Sequence, residues 1–393
     1  MNILIVKLSA IGDVIHTLPS LAALRRLWPE ADITWVVEEA AADLLQDHPA
    51  LNRVIVSGRK RWLKELRQGM IAKPFREMRA FLAELRSRKY DLVIDFHGLF
   101  KSAVIVFLSG GKRKLGYDSL QEGSRLFYNE KITEALEKHA VERYLDFVRY
   151  LACGDEKTCL SGTPEFRITI GENEKRKVSE LLSKKIFGLS PLRPGNSVNR
   201  MPTKPQTVGT RDKSATLQQA HPPFIAVNPV AFWETKLWED EKFARLGDLI
   251  WQELGITVVL TGGDAEPLEK IMKLMKTKAL NLGGKTSLRE LAALYKRAKI
   301  VVTTDSGPMH LAAAVGTPTV ALFGPTDPVR TGPYGPGHRV IRTGINCSPC
   351  FRKKCPQPRC MTEISVEEVF NAVRKKLGET GTLQTTAKSA GIE

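Results

Sequence analysis

The stretch that decides the fold is NILIVKLSAIGDVIHTLPSLAALRRLWPEADITWVV, residues 2–37. Residues 2–8 form an almost unbroken apolar run, which is typical of a buried strand. Apolar residues at helical spacing follow over 14–27, and a second apolar run covers 33–37. Strands that alternate with helices imply crossover units and a parallel sheet. The stretch therefore predicts an α/β fold.

The same alternation recurs along the chain with one interruption. Between about residues 184 and 223, many prolines are mixed with Ser, Thr, Asn, Gln and Lys, a composition that cannot bury a core. After it, strands are predicted at 224–228, 257–261, 300–304 and 319–323, and helices at 240–254, 288–298, 309–315 and 365–376. We therefore predict an N-terminal domain over 1–183, a flexible linker or loop over 184–223, a C-terminal domain over 224–377 and a disordered tail over 378–393.

Composition limits the class of protein. A chain of 393 residues is long enough for two or three domains, and 42% hydrophobic with 26% charged residues excludes general disorder. The excess of 59 Lys and Arg over 43 Asp and Glu gives a formal net charge of +16, which favours an anionic partner. That partner could be a nucleotide, a nucleic acid, an acidic glycan or a membrane surface.

Targeting signals are also informative. The apolar start is interrupted by Lys7 and Asp13 and has no cleavage site, and no apolar run approaches the roughly 20 residues of a membrane-spanning helix. We expect a cytoplasmic protein, with peripheral contact to a membrane left open.

Ligands of an open parallel sheet bind beyond the carboxyl ends of its strands, so the loops after strands are the first places to search. The first such loop ends in Gly12 and Asp13, and its single glycine excludes the dinucleotide-binding fingerprint. Asp13 is either the N-cap of the following helix or a general base that accepts a proton from a hydroxyl nucleophile, and it can do both.

A second loop has the sequence Asp305-Ser306-Gly307-Pro308 and precedes a predicted helix. A proline in the first turn with a glycine before it leaves the backbone N–H groups at the helix start facing outward, which suits a phosphate or diphosphate. His310 lies one turn further and faces the same end. The alternative is an ordinary helix start that is capped by Asp305 or Ser306.

Two more strand ends carry charged residues. Lys236 follows the strand FIAVN, where an ammonium can neutralise a phosphate leaving group, although most lysines are simply solvated. Glu266 follows VVLTGGD and can either accept hydrogen bonds from sugar hydroxyls or favour the first turn of its helix.

The segment 59–89 holds eleven Lys or Arg and three Glu, interleaved with aromatic and aliphatic residues. It is either a solvated helical face or a surface for an anionic amphiphile at a membrane.

Four cysteines lie close together near the C-terminus. Cys347, Cys350, Cys355 and Cys360 are spaced C-x2-C-x4-C-x4-C, which matches neither the usual zinc knuckle nor ferredoxin spacing. A structural metal, two short disulfides and free thiols are the alternatives.

Taken together, these motifs resemble the lipopolysaccharide heptosyltransferases, inverting glycosyltransferases of family 9. The resemblance is carried by ILIVKLSAIGDVIHTLP, WVVEE, RKRWLK, YDLVIDFHGLFKSA, LFYN, KHAVERYL, GGDAE, GGKTSL, TTDSGPMHLAAAVGTPTVALFGPTDP and CSPC followed by CM. The N-terminal half is most similar to heptosyltransferase I, whereas the cysteine-rich segment is more usual in heptosyltransferase II. The resemblance implies a GT-B fold, in which two Rossmann-like domains face each other across a cleft.

The resemblance also implies roles for residues. Asp13 corresponds to the catalytic base of the family. The donor-binding residues that it implies are Lys236, Glu266, Thr286, Asp305, Ser306, Gly307 and His310. The acceptor-binding residues that it implies are Lys60, Arg61 and Lys64.

From this we predict transfer of heptose from ADP-heptose to the Kdo-lipid A inner core of lipopolysaccharide, at the cytoplasmic face of the inner membrane and without nucleic acid. No cofactor is required in principle, because a lysine and a helix start can do the electrostatic task of a divalent metal. One alternative is a GT-B enzyme with another nucleotide-sugar donor or epimerase activity. The other is a basic nucleic-acid-binding protein, although no recognisable nucleic-acid module is present.

Overall fold

The computed structural model describes residues 1–119, 121–153, 160, 162–186 and 222–379. The described residues form two six-stranded sheets in which every neighbouring pair of strands is parallel. This confirms the predicted α/β fold. Most of the predicted linker, and residues 380–393 of the predicted tail, lie outside the described residues.

The N-terminal sheet has the strand order β3-β2-β1-β4-β5-β6. Its strands are β1 (Asn2–Val6), β2 (Asp32–Glu38), β3 (Arg53–Ser57), β4 (Leu92–Asp95), β5 (Arg113–Tyr117) and β6 (Glu130–Ile132). Its helices are α1 (Ile11–Leu27), α2 (Glu39–Ala42), α3 (Arg59–Arg67), α4 (Ala72–Arg86), α5 (Phe100–Leu108) and α6 (Ala140–Ala152), with 3-10 turns at Asp43–Leu45 and Gln121–Phe127.

The C-terminal sheet has the order β12-β11-β10-β7-β8-β9. Its strands are β7 (Phe224–Asn228), β8 (Thr257–Leu260), β9 (Ala279–Asn281), β10 (Ile300–Thr304), β11 (Thr319–Leu322) and β12 (Arg339–Ile341). The helices are α7 (Glu172–Ile186), α8 (Asp240–Leu254), α9 (Glu266–Leu274), α10 (Leu288–Arg297), α11 (Gly307–Ala314), α12 (Pro328–Thr331), α13 (Arg359–Thr362) and α14 (Val366–Glu379), with a 3-10 turn at Glu234–Lys236. We call each sheet with its helices the N-terminal and the C-terminal half.

Burial explains the apolar runs. The central strands β1 and β10 are covered on both faces, so nearly all of their residues are buried, as expected in a parallel sheet with helices on both sides. Helix α1 is also buried around much of its circumference, because α6 packs on it from the N-terminal half and α11 from the C-terminal half.

Helix α7 spans the predicted domain boundary at residue 183. Helix α7 continues to residue 186 and packs on α10 of the C-terminal half. Its Val178 and Leu182 are buried together with Tyr295, and Arg297 Nη1 donates a hydrogen bond to Ser179 Oγ at 2.9 Å. The apolar stripe of α7 is therefore covered by α10 of the C-terminal half.

The order of the strands shows where the ligand-binding crevice of each half lies. In each half the order reverses beside the strand that comes first in the chain, between β1 and β4 and between β7 and β10. Ligands of open α/β sheets bind at this switch point, beyond the carboxyl ends of the strands. The loops that end in Asp13, Lys236 and Asp305 follow β1, β7 and β10, so three of the four switch-point strands lead into a predicted site residue.

Candidate active site

Asp13 lies in the first turn of α1. The helix begins at Ile11, so the expectation that Asp13 is its N-cap is wrong. Its Oδ2 instead accepts a hydrogen bond from the N–H of Ala10 at 3.1 Å. The other carboxylate oxygen, Oδ1, lies 3.4 Å from the hydroxyl of Tyr144, which donates to it. Asp13 is only partly buried, so a substrate hydroxyl can still reach it.

The starts of α1 and α11 meet between the two halves. His16 Nε2 and His310 Nδ1 are 2.9 Å apart. A Cβ atom on Gly12 would lie 2.3 Å from His310 Cδ2, and one on Gly307 would lie 3.2 Å from Ile11 Cβ. Glycine at both positions is what allows this close approach. The structure thus brings His310 beside the turn that carries Asp13.

Both histidines of this contact are uncharged at neutral pH. Burial lowers the pKa of His310 to about 4, against the opposing charges of Asp305 and Asp13. Burial, together with His310 itself, also holds the pKa of His16 well below its usual range. The bond between the two rings therefore needs one ring nitrogen to donate and the other to accept.

Lys236 and Asp305 join the loops after β7 and β10. Lys236 Nζ lies 2.6 Å from Asp305 Oδ2, and Thr326 Oγ1 donates to the same oxygen at 2.6 Å. Asp305 is 5% exposed and the Lys236 side chain 16% exposed. An ammonium carries three donors, so Lys236 can hold Asp305 and still contact an anion.

The start of α11 is not capped by a side chain. Ser306 occupies the N-cap position, yet its Oγ donates to Thr304 O at 3.3 Å and forms no capping bond. Asp305 is held by Lys236 and Thr326 instead. The ordinary capped helix is therefore not what the structure shows, and the N–H groups at this helix start are not taken by either predicted cap.

Glu266 and Thr286 lie further along the same sheet edge, in the loops after β8 and β9. Glu266 is the first residue of α9, where its Oε1 lies 3.1 Å from the exposed Lys270 Nζ. Thr286 is partly buried in the turn before α10. The two loops are joined by the Gly284 N–H, which donates to Gly262 O at 3.0 Å. The two predicted donor residues therefore lie on adjacent loops. These loops are separate from those that carry Lys236 and Asp305.

The three predicted acceptor residues lie on α3. Lys60 Nζ lies 2.8 Å from Glu38 Oε2. Arg61 pairs with Glu39 at 3.0 Å and with Glu77 at 2.7 Å. Lys64 is exposed. Arg61 thus ties α3 to α2 and α4, whereas Lys60 faces the carboxyl edge of the sheet.

Two further cations at this edge were missed from the sequence. Arg59 Nη2 donates to Glu38 Oε1 at 2.9 Å, and Lys101 Nζ donates to Ser9 Oγ at 3.3 Å. Burial by itself raises the pKa of Glu38, but hydrogen bonds from Lys60 and Arg59 outweigh it and hold that pKa below its usual value. We call Arg59, Lys60 and Lys101 the basic edge. The three positive charges of the basic edge outnumber the single negative charge of Glu38, which is buried among them.

The cysteine loop supports the C-terminal half of the site. Cys347, Cys350, Cys355 and Cys360 are free thiols, and Cys360 alone among these four is buried. Within the described part of the chain, no group of three or more His, Cys, Asp or Glu side chains could hold a metal ion. The loop contacts the turn that carries Lys236, since Thr235 Oγ1 donates to Arg352 O at 2.8 Å.

Comparison with known proteins identifies the family. The family model of glycosyltransferase family 9 (heptosyltransferase) matches residues 78–192 and 196–361. The chain belongs to glycosyltransferase family 9. This family 9 chain is 31% identical to lipopolysaccharide heptosyltransferase 1 of Pseudomonas aeruginosa, over 96% of the chain and 98% of the relative. It is 29% identical to lipopolysaccharide heptosyltransferase 1 of Escherichia coli K12, over 87% of the chain and 93% of the relative.

A solved structure agrees with the family. The Escherichia coli heptosyltransferase WaaC with ADP-2-deoxy-2-fluoro heptose superposes with a TM-score of 0.68 at 26% identity, over 95% of this chain and 99% of that one. The predicted GT-B fold and the predicted glycosyltransferase class are thereby confirmed. A non-enzymatic nucleic-acid-binding protein is not favoured.

Proposed function

We propose that this family 9 enzyme transfers heptose from ADP-heptose to the Kdo-lipid A inner core of lipopolysaccharide. The observation that carries the proposal is the meeting of the two switch points, where the turn of Asp13 contacts His310 at the start of α11. The relatives named lipopolysaccharide heptosyltransferase 1 and the structure with an ADP-heptose analogue support the same substrates.

In this proposal the C-terminal half holds the donor. The diphosphate of ADP-heptose lies against the uncapped start of α11, whose N–H groups and dipole favour an anion. Lys236 adds a positive charge at the oxygen that becomes negative as ADP departs. Preorganised charges of this kind stabilise the transition state without needing to reorganise during the reaction.

The N-terminal half supplies the acceptor and the base. The acceptor hydroxyl oxygen attacks the anomeric carbon of heptose on the face opposite to ADP, and its proton passes to the Asp13 carboxylate. A new carbon–oxygen bond forms as the bond between the anomeric carbon and the phosphate oxygen breaks. Because this is a single displacement, the anomeric configuration inverts.

Turnover with ADP-heptose and a truncated Kdo-lipid A acceptor tests the substrates directly. We expect release of ADP that depends on the acceptor, with inhibition by ADP and much weaker inhibition by UDP. Turnover with a UDP-sugar and no turnover with ADP-heptose would instead favour a GT-B enzyme with another donor. Conversion of a nucleotide sugar without any acceptor would favour an epimerase.

The basic edge is proposed to meet the carboxylates and phosphates of the acceptor, because it lies beside Ser9 on the loop that leads to Asp13. Charge reversal by Lys60→Glu, and by Lys64→Glu on the exposed side of α3, is expected to raise the acceptor KM about tenfold or more, the scale on which lost charge pairing weakens anion binding. The ADP Kd, measured by calorimetry, should not change.

Lys112→Glu is the matched control for these two variants. Lys112 is an exposed lysine at the amino edge of the same sheet, where it pairs with Asp91 at 3.3 Å. The Lys112→Glu variant should leave the acceptor KM unchanged. If Lys60→Glu weakened ADP binding as much as acceptor use, the assignment of the acceptor to the N-terminal half would be wrong.

We also propose that the enzyme binds the cytoplasmic face of the inner membrane through α3 and α4. Five apolar side chains are exposed on these helices and the link between them, namely Leu63, Met70, Ile71, Phe75 and Met78. The same helices expose the cations Lys64, Arg67, Arg76 and Arg79. Apolar side chains among cations suit an anionic bilayer surface. Among the helices that the structure describes, none is long and apolar enough to cross a membrane.

The double variant Ile71→Ser/Phe75→Ser tests this surface. Ile71 is 63% and Phe75 56% exposed, so the folded protein should tolerate both changes. We expect binding to vesicles containing anionic lipid to fall about tenfold, while turnover of an acceptor without acyl chains is unchanged. Leu274→Ser removes an exposed apolar side chain, 47% exposed, from α9 and should not affect vesicle binding. Unchanged binding of the double variant would refute the proposed surface.

A further inference from the structure

We propose that Lys7 and Tyr144 act as a positioning relay that holds the Asp13 carboxylate in one orientation. This inference deepens the proposed function and rests on the role of Asp13 as the base. Neither residue touches a substrate in this proposal; both act through Asp13.

The relay has a defined direction. Lys7 follows β1 directly, is 3% exposed, and its Nζ donates to Tyr144 Oη at 2.6 Å and to Phe96 O at 2.9 Å. An ammonium can only donate, so the tyrosine oxygen must accept from Lys7. The proton of Tyr144 is then free for Asp13 Oδ1 at 3.4 Å. Catalytic hydrogen bonds commonly shorten in the complex with substrate.

The positive charge of Lys7 is available to the Asp13 carboxylate. Lys7 is in none of the ion pairs between described residues, although burial makes an unpaired ammonium costly. Burial lowers the pKa of Lys7, and the carboxylates of Asp13 and Asp95 oppose this. Asp95 is already satisfied by the N–H groups of His97 at 2.8 Å and Gly98 at 3.1 Å and by the hydroxyl of Tyr128 at 2.7 Å.

Through the tyrosine oxygen, the ammonium can lie no more than about 6 Å from the Asp13 carboxylate, a range in which opposite charges attract each other. A buried lysine in this place has no evident packing advantage over an apolar residue, since an apolar side chain of similar length would avoid the desolvation cost. Its placement is explained by the carboxylate that it supports.

Other charged groups surround Asp13 but cannot replace Lys7. His310 faces it from α11 and is neutral at neutral pH, because burial lowers its pKa to about 4. The remaining titratable groups near Lys7 and His310 are Asp95, Glu134, Arg143, His16, His139, Asp305 and Lys236. Within the described residues, only the Lys7 charge reaches Asp13 through a chain of hydrogen bonds.

The split between kcat and KM tests the relay in Tyr144→Phe and Lys7→Met. Without the donated hydrogen bond, or without the ammonium that fixes the direction of that bond, the Asp13 carboxylate can turn away from the acceptor hydroxyl. We expect kcat to fall about threefold in Tyr144→Phe and about tenfold in Lys7→Met, because a misplaced catalytic group slows the chemical step. The donor KM should stay the same.

Tyr117→Phe is the matched control. Tyr117 is also buried and donates to α6, to Arg143 O at 3.2 Å, but it has no contact with Asp13. The variant removes a hydroxyl of the same kind from the same region, so it can lower Tm but must leave kcat unchanged. A purely structural role of Tyr144 would give this same result.

Asp13→Asn in the same assay separates the two levels of the proposal. Full turnover of Asp13→Asn would refute the base, and with it the relay. Loss of turnover in Asp13→Asn together with a wild-type kcat in Tyr144→Phe would refute the relay alone. If Lys7→Met fails to fold, Tyr144→Phe still tests the relay, because the phenylalanine ring preserves the packing of α6.

Discussion

Replacing Asp13 with Asn is expected to lower kcat by a factor of about 100 or more, the scale of lost general-base catalysis. The amide keeps the shape of the side chain but cannot take a proton from the acceptor hydroxyl. Its oxygen can still accept the Ala10 N–H, which Asp13 Oδ2 holds at 3.1 Å, so the start of α1 should persist. The ADP Kd from calorimetry and Tm should remain close to those of the wild type.

Asp91→Asn is the control for this substitution. Asp91 also accepts a backbone N–H, from Asn2 at 2.9 Å, but at the amino edge of the sheet and away from the crevice. Its turnover should equal that of the wild type. Near-normal turnover of Asp13→Asn would leave Asp13 as a residue that only satisfies the helix start.

The fold was predictable where burial produces a simple pattern. The observed bounds of β7, β10 and α8 equal the predicted ones, because continuous apolar runs and a clear helical period end at polar residues. Strands β3, β5, β6, β9 and β12 were not predicted. The sequence RVIVS of β3 lies at a sheet edge and is only partly buried, so its apolar pattern is weak.

The candidate site was predictable where it depends on strand ends, and not where it depends on distant contacts. Asp13, Lys236 and Asp305 all follow strands, and the rule for open sheets finds them. Tyr144 is brought to Lys7 by the packing of α6 on α1, which no local pattern encodes. The one signal was Lys7 itself, a charge inside the apolar run ILIVKL, where a solvated lysine has no place.

Replacing Lys236 with Met is expected to lower both turnover and stability, for different reasons. Loss of the charge that meets the departing diphosphate should lower kcat by about 100-fold or more. Asp305, which is 5% exposed, would keep only Thr326 as a side-chain partner, and an uncompensated buried carboxylate costs about 3 kcal/mol or more. Denaturant unfolding and the rate of ADP release measure the two losses separately.

The double variant Lys236→Met/Asp305→Asn distinguishes the two roles of the lysine. With both charges removed, the buried carboxylate is gone, so most of the lost unfolding free energy should return. Turnover should stay low, because nothing then neutralises the leaving group. Lys175→Met breaks the exposed pair with Glu172 at 2.6 Å and should cost less than about 1 kcal/mol, which shows that burial sets the size of the effect. If the double variant regained turnover along with stability, Lys236 would serve only to neutralise Asp305, and the diphosphate would have to be held by the start of α11 alone.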